Sequence, residues 1–222
     1  MAATGNELNV RAILVHYRTA DLLERAVASW FEFYPDIPLT LFDNAPDSAD
    51  ADAIAAIRTR FPLVDYQPSP ENIGHGPGMD RSIRRVTEPF VFCLDSDTVV
   101  LQGGFLEEML PHFNTPSVYG VGRKVRINRR GYNVEEDQKG FPALDPAHML
   151  IRRLAYLSLP PFIQHGQPIV ENFRGAFERG LELVSYDIES CILHDHRGTV
   201  ERHGYGLGLR GKVNHLLNRF GL

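Results

Sequence analysis

The stretch Phe90-Val91-Phe92-Cys93-Leu94-Asp95-Ser96-Asp97 decides the fold, because a fully apolar run leads directly into two carboxylates. A run without polar positions is typical of a strand buried on both faces of a parallel sheet. Shorter runs at 12–15, 39–42 and 64–66 precede it, with apolar stripes at helical spacing between them. The pattern therefore predicts an α/β domain whose mostly parallel central sheet is covered by helices on both faces.

Composition narrows the class of protein. The chain has 222 residues, of which 43% are hydrophobic and 23% charged, which is typical of a folded domain. Its net charge of -5 argues against a nucleic-acid-binding protein. Cys93 and Cys191 lie in apolar runs, form neither a metal-binding pair nor a disulfide framework, and are expected to be buried, reduced thiols.

We expect one continuous domain over 1–222, with a first half at about 10–100, a second at about 101–205 and a C-terminal amphipathic helix at 207–222. The polar N-terminus has no signal-like apolar core and no run is long enough to cross a membrane, so a cytoplasmic protein is expected. The C-terminal helix carries an apolar stripe and basic residues. It can pack on its own domain, form a homodimer, or make peripheral contact with the inner face of a membrane.

Polar side chains follow three of the predicted strands. Tyr17 and Arg18 follow the first, Asp43 the second, and Asp95 and Asp97 the fourth. Ligands of open α/β sheets bind beyond the carboxyl ends of the strands, so these side chains are expected to meet at one edge. If the chain stays extended at 95–97, both carboxylates point to one side, as hard ligands for Mn²⁺ or Mg²⁺ that can also hold a diphosphate.

A glycine-rich segment at 71–80 is the second motif. Gly74, Gly76 and Gly78 alternate with other residues just before a predicted helix, which lets the backbone approach a ligand closely. The segment follows the third strand and lacks the G-x-G-x-x-G spacing, so it does not indicate a dinucleotide fold.

Together these motifs resemble the family 2 glycosyltransferases of the GT-A fold. The resemblance lies in the order and spacing of Ala12 to Tyr17, Leu41 to Asn44, Glu71 to Gly74 and Leu94 to Asp97. It implies a single GT-A, Rossmann-like domain that moves a sugar from a nucleotide diphosphate to an acceptor hydroxyl with inversion. It favours a UDP-linked donor and a saccharide or lipid-linked acceptor.

The resemblance also implies roles for individual residues. Tyr17 and Asp43 would hold the base, and the segment from Asn72 to Asp80, with Gly74 and Gly76, would line the base and ribose. Asp95 and Ser96 would reach the donor, and Asp97, with Asp95, would bind the metal. His194 and His196, which flank Asp195, resemble the late histidine that completes the metal or diphosphate site.

The sequence departs from the family pattern at the position of the catalytic base. The family's acidic pair at the start of a late helix, predicted here over 171–183, reads Glu171-Asn172. An amide cannot accept a proton usefully, so Glu171 becomes the predicted base, with Asp145 and His165 as fallbacks. Alternatively, Glu171 only complements the positive end of its helix.

Two other classes of protein fit parts of the sequence. The segment around Asp95 and Asp97 also resembles the nucleophile motif of haloacid-dehalogenase-type phosphatases, although that motif normally opens its fold. A non-catalytic nucleotide-sugar binder is the other alternative, since Asn172 replaces the expected acid.

Overall fold

A computed structural model describes residues 7–45, 50–163 and 168–195. His165, His196 and the predicted amphipathic helix at 207–222 lie outside the described residues. The roles expected for them from sequence therefore stay predictions.

The described chain alternates strands and helices through its first half and is rich in strands later. The strands are β1 Val10–His16, β2 Leu39–Asp43, β3 Val64–Pro68, β4 Phe90–Asp95, β5 Thr98–Val100, β6 Val118–Ile127, β7 Phe141–Arg152, β8 Glu182–Ser185 and β9 Ile192–His194. The helices are α1 Ala20–Phe33, α2 Ala51–Arg60, α3 His75–Arg85, α4 Phe105–Met109, α5 Arg153–Leu157 and α6 Val170–Glu178.

Seven strands form one sheet in the order β3-β2-β1-β4-β7-β6-β8, and β5 pairs with β9 in a separate ribbon. The strands β1 to β4 are parallel, whereas β7 runs antiparallel to both β4 and β6. The chain moves outward from β1 to β3 and then returns to the other side of β1 with β4. This reversal makes the carboxyl ends of β1 and β4 a topological switch point, where open α/β sheets bind ligands. The predicted mostly parallel, doubly covered sheet is confirmed.

Hydrophobic side chains cover both faces of this sheet. One face packs on α1 and α4 through Trp30, Phe92 and Phe105. The other packs on α3 and α6 through residues that include Ile83 and Phe173. Burial of such large side chains from both sides fixes the sheet as a rigid platform for the loops at its edge.

One local expectation, the extent of a late helix, needs adjustment, and another, the state of the cysteines, is confirmed. Thr19 lies directly before α1, and its buried hydroxyl makes no capping hydrogen bond within the described chain. The helix expected over 171–183 ends at Glu178, because Gly180 adopts a left-handed conformation that stops it. The cysteines are buried and unpaired, as predicted. No described helix has both the length and the apolar character to cross a membrane.

A bulge in the β6–β7 pair shapes the edge of the sheet. Gly122 pairs with Met149 and Lys124 with Leu144, so Arg123 lies opposite the four residues 145–148. Pro146 lies within this segment, where a residue without an N–H is tolerated because the ladder is already interrupted. The extra residues turn the Asp145 and His148 side chains toward the carboxyl end of β4.

Replacement of Gly122 by alanine should destabilise the fold by about 1–3 kcal/mol. A methyl group there would lie 2.9 Å from the carbonyl oxygen of His148, and that backbone cannot yield without disturbing the β6–β7 pair. Gly103→Ala is the control, since its methyl would meet the Phe33 Cβ at 3.3 Å and a side chain can relax. Urea unfolding should give the larger loss for Gly122→Ala. An equal loss in the two variants would contradict the close approach at Gly122.

Candidate functional site

The two carboxylates after β4 form the centre of the site. The chain does not stay extended there, because Ser96 and Asp97 form a turn between β4 and β5. One carboxylate oxygen of Asp95 and one of Asp97 nevertheless lie within 4.8 Å of each other and of a His194 ring nitrogen. The turn, not strand alternation, brings the pair together.

His194 reaches this turn through the β5–β9 ribbon. Thr98, the residue after Asp97, lies opposite His194 in the antiparallel register. The His194 Nε2 lies 3.1 Å from Asp97 Oδ1 and 3.6 Å from Asp95 Oδ2. This is the one group of three metal-ligating side chains found among the residues that the structure describes.

The donor set fits a divalent cation. Two carboxylates provide the hard oxygen ligands that Mn²⁺ and Mg²⁺ prefer. An imidazole nitrogen coordinates Mn²⁺ more readily than it coordinates Mg²⁺. The expected metal residues Asp95, Asp97 and His194 are thus brought together.

The charges in the cluster oppose one another. Burial raises the pKa of Asp95, and the neighbouring Asp97 and Asp145 add to that rise, while His75 and His194 oppose it. Burial alone would lower the pKa of His194, but the hydrogen bond to Asp97 and the Asp95 charge raise it above its ordinary value. Two carboxylates held this close require a positive partner, which the imidazolium provides when no cation is bound.

A cavity of about 320 Å³ opens beside His194. Arg123, Asp145, His148 and Glu189 contribute its polar lining. Arg123 donates a hydrogen bond to Asp145 and lies 3.2 Å from Glu189 Oε1. Burial favours the neutral acid at Asp145, but the Arg123 partner and the amide of Ala147 lower its pKa below the usual range. The cavity therefore holds an ionised carboxylate next to the metal cluster.

On the other side of the cluster lie the loops expected to hold the donor. The Asp43 carboxylate is fully buried and accepts hydrogen bonds from the Tyr66 hydroxyl at 2.8 Å and the Ala45 amide at 2.9 Å. Asn44 accepts from the amide of Ile73 and donates to the carbonyl of Gly74, which ties the β2 loop to the glycine-rich loop. The base of a nucleotide could contact the Asp43 carboxylate only if this turn opens.

The glycine-rich loop is held by its own contacts as well. The Asn72 side chain accepts from the Gly74 amide at 2.9 Å, and Gly74 has a φ of 93°, which requires glycine. Gly76 is buried near the start of α3. Tyr17 and Ser96 stand at the ends of β1 and β4, at the switch point. These expected donor residues share one edge of the sheet.

Asp80, at the end of the segment expected to line the donor, is held by two side chains in the described structure. Its carboxylate accepts a hydrogen bond of 2.6 Å from the Tyr156 hydroxyl and pairs with Arg84 one turn later. These contacts join α3 to α5, so Asp80 contributes to packing in the described structure.

The structure also shows how Glu171 and Asn172, at the start of α6, are held. Asn172 is fully buried, accepts from the Tyr119 hydroxyl at 2.6 Å and donates to the Pro160 carbonyl at 2.8 Å. It is therefore a structural amide in this chain. Glu171, one-third exposed, pairs with Arg174 on the same helix and does not line the cavity beside His194.

Sequence reasoning missed three side chains at this site. His75 Nε2 lies 3.6 Å from Asp95 Oδ1. His148 Nε2 lies 2.8 Å from the Thr98 hydroxyl, and its ring meets that of His194 edge to face. His16, buried at the end of β1, contacts Asp50 at 3.0 Å. The signal for His16 and His75 was present, since His16 lies within the segment from Ala12 to Tyr17 and His75 within the segment from Asn72 to Asp80, although neither was named as a site residue.

Comparison with known proteins places this arrangement in a family. The profile described as Glycosyl transferase family 2 matches residues 12–170. The chain belongs to glycosyl transferase family 2. The matched range contains both Asp95 and Asp97, and the phosphatase alternative has no support from the fold or the family.

A structural comparison agrees on the fold. The chain superposes on a mannosyltransferase, PcManGT from Pyrobaculum calidifontis in complex with GDP-Man and Mn²⁺, with a TM-score of 0.64 and 15% sequence identity. The match covers 80% of this chain and 54% of that protein, so the chain spans about half the length of this relative. A search among curated proteins found no match. At this identity the likeness shows the GT-A fold alone.

Replacement of Asp97 by asparagine should weaken Mn²⁺ binding by at least about tenfold, because it removes a charged ligand atom and leaves the shape nearly unchanged. Isothermal titration with Mn²⁺ measures this. Asp52→Asn, on the exposed face of α2, is the control for the loss of one negative charge and should bind as the unchanged chain does. Unchanged affinity in Asp97→Asn would remove Asp97 from the metal site.

The cluster should also make stability depend on pH when metal is withheld. The pKa of His194 is higher in the folded chain than in the unfolded chain, where it is about 6.5. The contribution of His194 to folding stability is therefore fully present below about pH 6.5 and is lost as the pH rises through the pKa of the folded state. In EDTA, the melting temperature of the unchanged chain should exceed that of His194→Gln most at low pH. The gap should shrink as pH rises toward 8.5, and a gap that widens would contradict this ion pair.

Proposed function

We propose that this chain transfers a sugar from a nucleotide diphosphate to an acceptor hydroxyl. The observation that carries the proposal is the Asp95–Asp97–His194 cluster at the switch point of the sheet, between the donor loops and the cavity beside His194. Family membership supports the reaction class, and the geometry supports a donor on one side of the cluster and an acceptor on the other.

The chain's own residues would hold the donor. Tyr17 and the Asn72–Gly76 loop lie at the edge where a nucleotide can approach backbone amides, and Asp43 orients the turn beside them. Asp95, Asp97 and His194 would hold a divalent cation, which would supply positive charge against the diphosphate leaving group. Because the cluster is largely buried, that attraction is only weakly screened by solvent.

The nucleotide base is a further part of the proposal. The sequence resemblance favours uridine, whereas the solved relative holds GDP-mannose and Mn²⁺. A thermal-shift panel with UDP and GDP, each with Mn²⁺, with Mg²⁺ and with EDTA, separates the two bases and tests the metal. A ligand that binds only the native state raises the melting temperature by mass action, so a shift is expected for a nucleotide diphosphate with metal. No shift with either nucleotide would refute the proposed function.

An acceptor hydroxyl needs a base, and Asp145 is the carboxylate best placed to serve. It lines the cavity next to His194, is ionised, and lies close enough to Asp95 for their charges to interact. Glu171, the base expected from the sequence, is the alternative, although its carboxylate forms an ion pair with Arg174. Attack by the hydroxyl on the face of the sugar opposite the diphosphate would invert the anomeric centre, which proton NMR of the product checks.

Asp145→Asn and Glu171→Gln distinguish the two bases and also the non-catalytic alternative. Loss of the general base should slow turnover by about 10²–10⁴-fold while nucleotide binding persists. We expect this for Asp145→Asn, whereas Glu171→Gln should retain most of the turnover and lose slight stability. Melting temperatures control for unfolding, because Asp145 also pairs with Arg123. The reverse pattern would make Glu171 the base, and the absence of turnover in the unchanged chain would favour a binder.

A further inference from the structure

A further cavity lies away from the metal cluster, at the far end of the β6–β7 hairpin. Its volume is about 810 Å³, and its walls come from the hairpin on one side and from α6 on the other. We refer to it as the hairpin groove. Phe141, at the groove, and His148, at the cluster, are seven positions apart in β7, which is at most roughly 23 Å in an extended strand.

The charge of the hairpin groove opposes that of the whole chain. Five cationic side chains line it: Arg126, Arg129, Arg130, Lys139 and Arg174. Glu178 is the one acidic residue in the described lining, and the acids of the same hairpin, at 135–137, are not part of it. The chain carries a net charge of -5, so this concentration of positive charge is local. A concave surface with one sign of charge attracts an oppositely charged ligand.

The groove is a preformed surface. The Arg126 guanidinium donates to the carbonyl of Gln138 across the hairpin. Gly140 allows the two strands to approach closely, since a methyl group there would lie 2.7 Å from the Ile127 carbonyl oxygen. Arg174 is held on the opposite wall by Glu171 and Glu178. These contacts fix three parts of the wall before any ligand binds, which reduces the entropy lost on binding.

We propose that the hairpin groove binds an anionic oligosaccharide segment of the acceptor, a proposal that rests on the transferase function above. The four cations of the hairpin wall fit several carboxylate, sulfate or phosphate groups along a chain better than one phosphate, while Arg174 on the α6 wall is paired with Glu171 and Glu178. Phe177, 52% exposed, offers an aromatic face for a sugar ring. A flat membrane surface would meet such charges on a convex face, not inside a groove. The β6–β7 pair that carries the groove also carries Asp145, so a ligand of the groove would be held by the same two strands that carry this candidate base.

The test uses a double variant that removes two cations from the groove, Arg129→Gln with Lys139→Gln. The matched control, Arg58→Gln with Arg60→Gln, removes the same charge from the exposed face of α2. The probe is a heparin-derived hexasaccharide, titrated in EDTA at two salt concentrations, with maltohexaose as the neutral counterpart. We expect the hexasaccharide to bind, maltohexaose not to bind, and the groove variant to lose on the order of tenfold in affinity, more at low salt. The control variant should bind as the unchanged chain does.

Several results would overturn the proposal. One is equal hexasaccharide affinity in the groove variant and the control. Another is binding of phosphatidylglycerol vesicles, or of inorganic pyrophosphate alone, without binding of the hexasaccharide. A third is loss of Mn²⁺ binding in the groove variant, because the groove would then not be separate from the cluster. If the hexasaccharide binds but no nucleotide diphosphate does, the transferase function fails and the ligand class of the groove stands.

Discussion

The parallel pairing of β1 with β2 on one side and β4 on the other is the constraint on which the site depends. In that register His16 lies opposite Asp43, and Val15 lies opposite Asp95. Parallel strands about 4.8 Å apart therefore end at the same edge of the sheet. The polar residues that follow them lie close together for this reason alone. Burial of β1 and β4 on both faces keeps this register, because a slip would place their apolar side chains wrongly.

The antiparallel strand β7 adds the second half of the site. It is twelve residues long against six in β4, so its first half extends past the carboxyl end of β4. The bulge at 145–148 lies where β7 leaves the cover of β4 and turns Asp145 toward the cavity. A regular ladder would have alternated these side chains between the two faces of the sheet. The same strand, continued outward, supplies one wall of the hairpin groove.

Charge divides the molecule along this strand. Near the switch point, Asp95, Asp97 and Asp145 gather negative charge that histidines and Arg123 only partly offset. At the other end, Arg126 and its neighbours gather positive charge. An anionic acceptor would be repelled by the cluster and attracted by the groove, which favours one orientation of the chain. The cluster in turn favours cations, so the two surfaces would attract ligands of opposite charge.

The sequence by itself determined the sheet, its covering helices and the Asp95-Ser96-Asp97 motif, because apolar runs and helical stripes are local signals read over a few residues. It also determined which loops lie at the ligand edge, since the order of strands and helices fixes which strand ends carry polar residues. Only the tertiary structure decided the rest. His194, which the resemblance had named, joins Asp97 from a position 97 residues later through the β5–β9 ribbon, and the Asp80 carboxylate accepts a hydrogen bond from the Tyr156 hydroxyl. Asn172 is buried against Tyr119 and Pro160. Such contacts join residues far apart in the chain, and local patterns carry no information about which distant surfaces pack together.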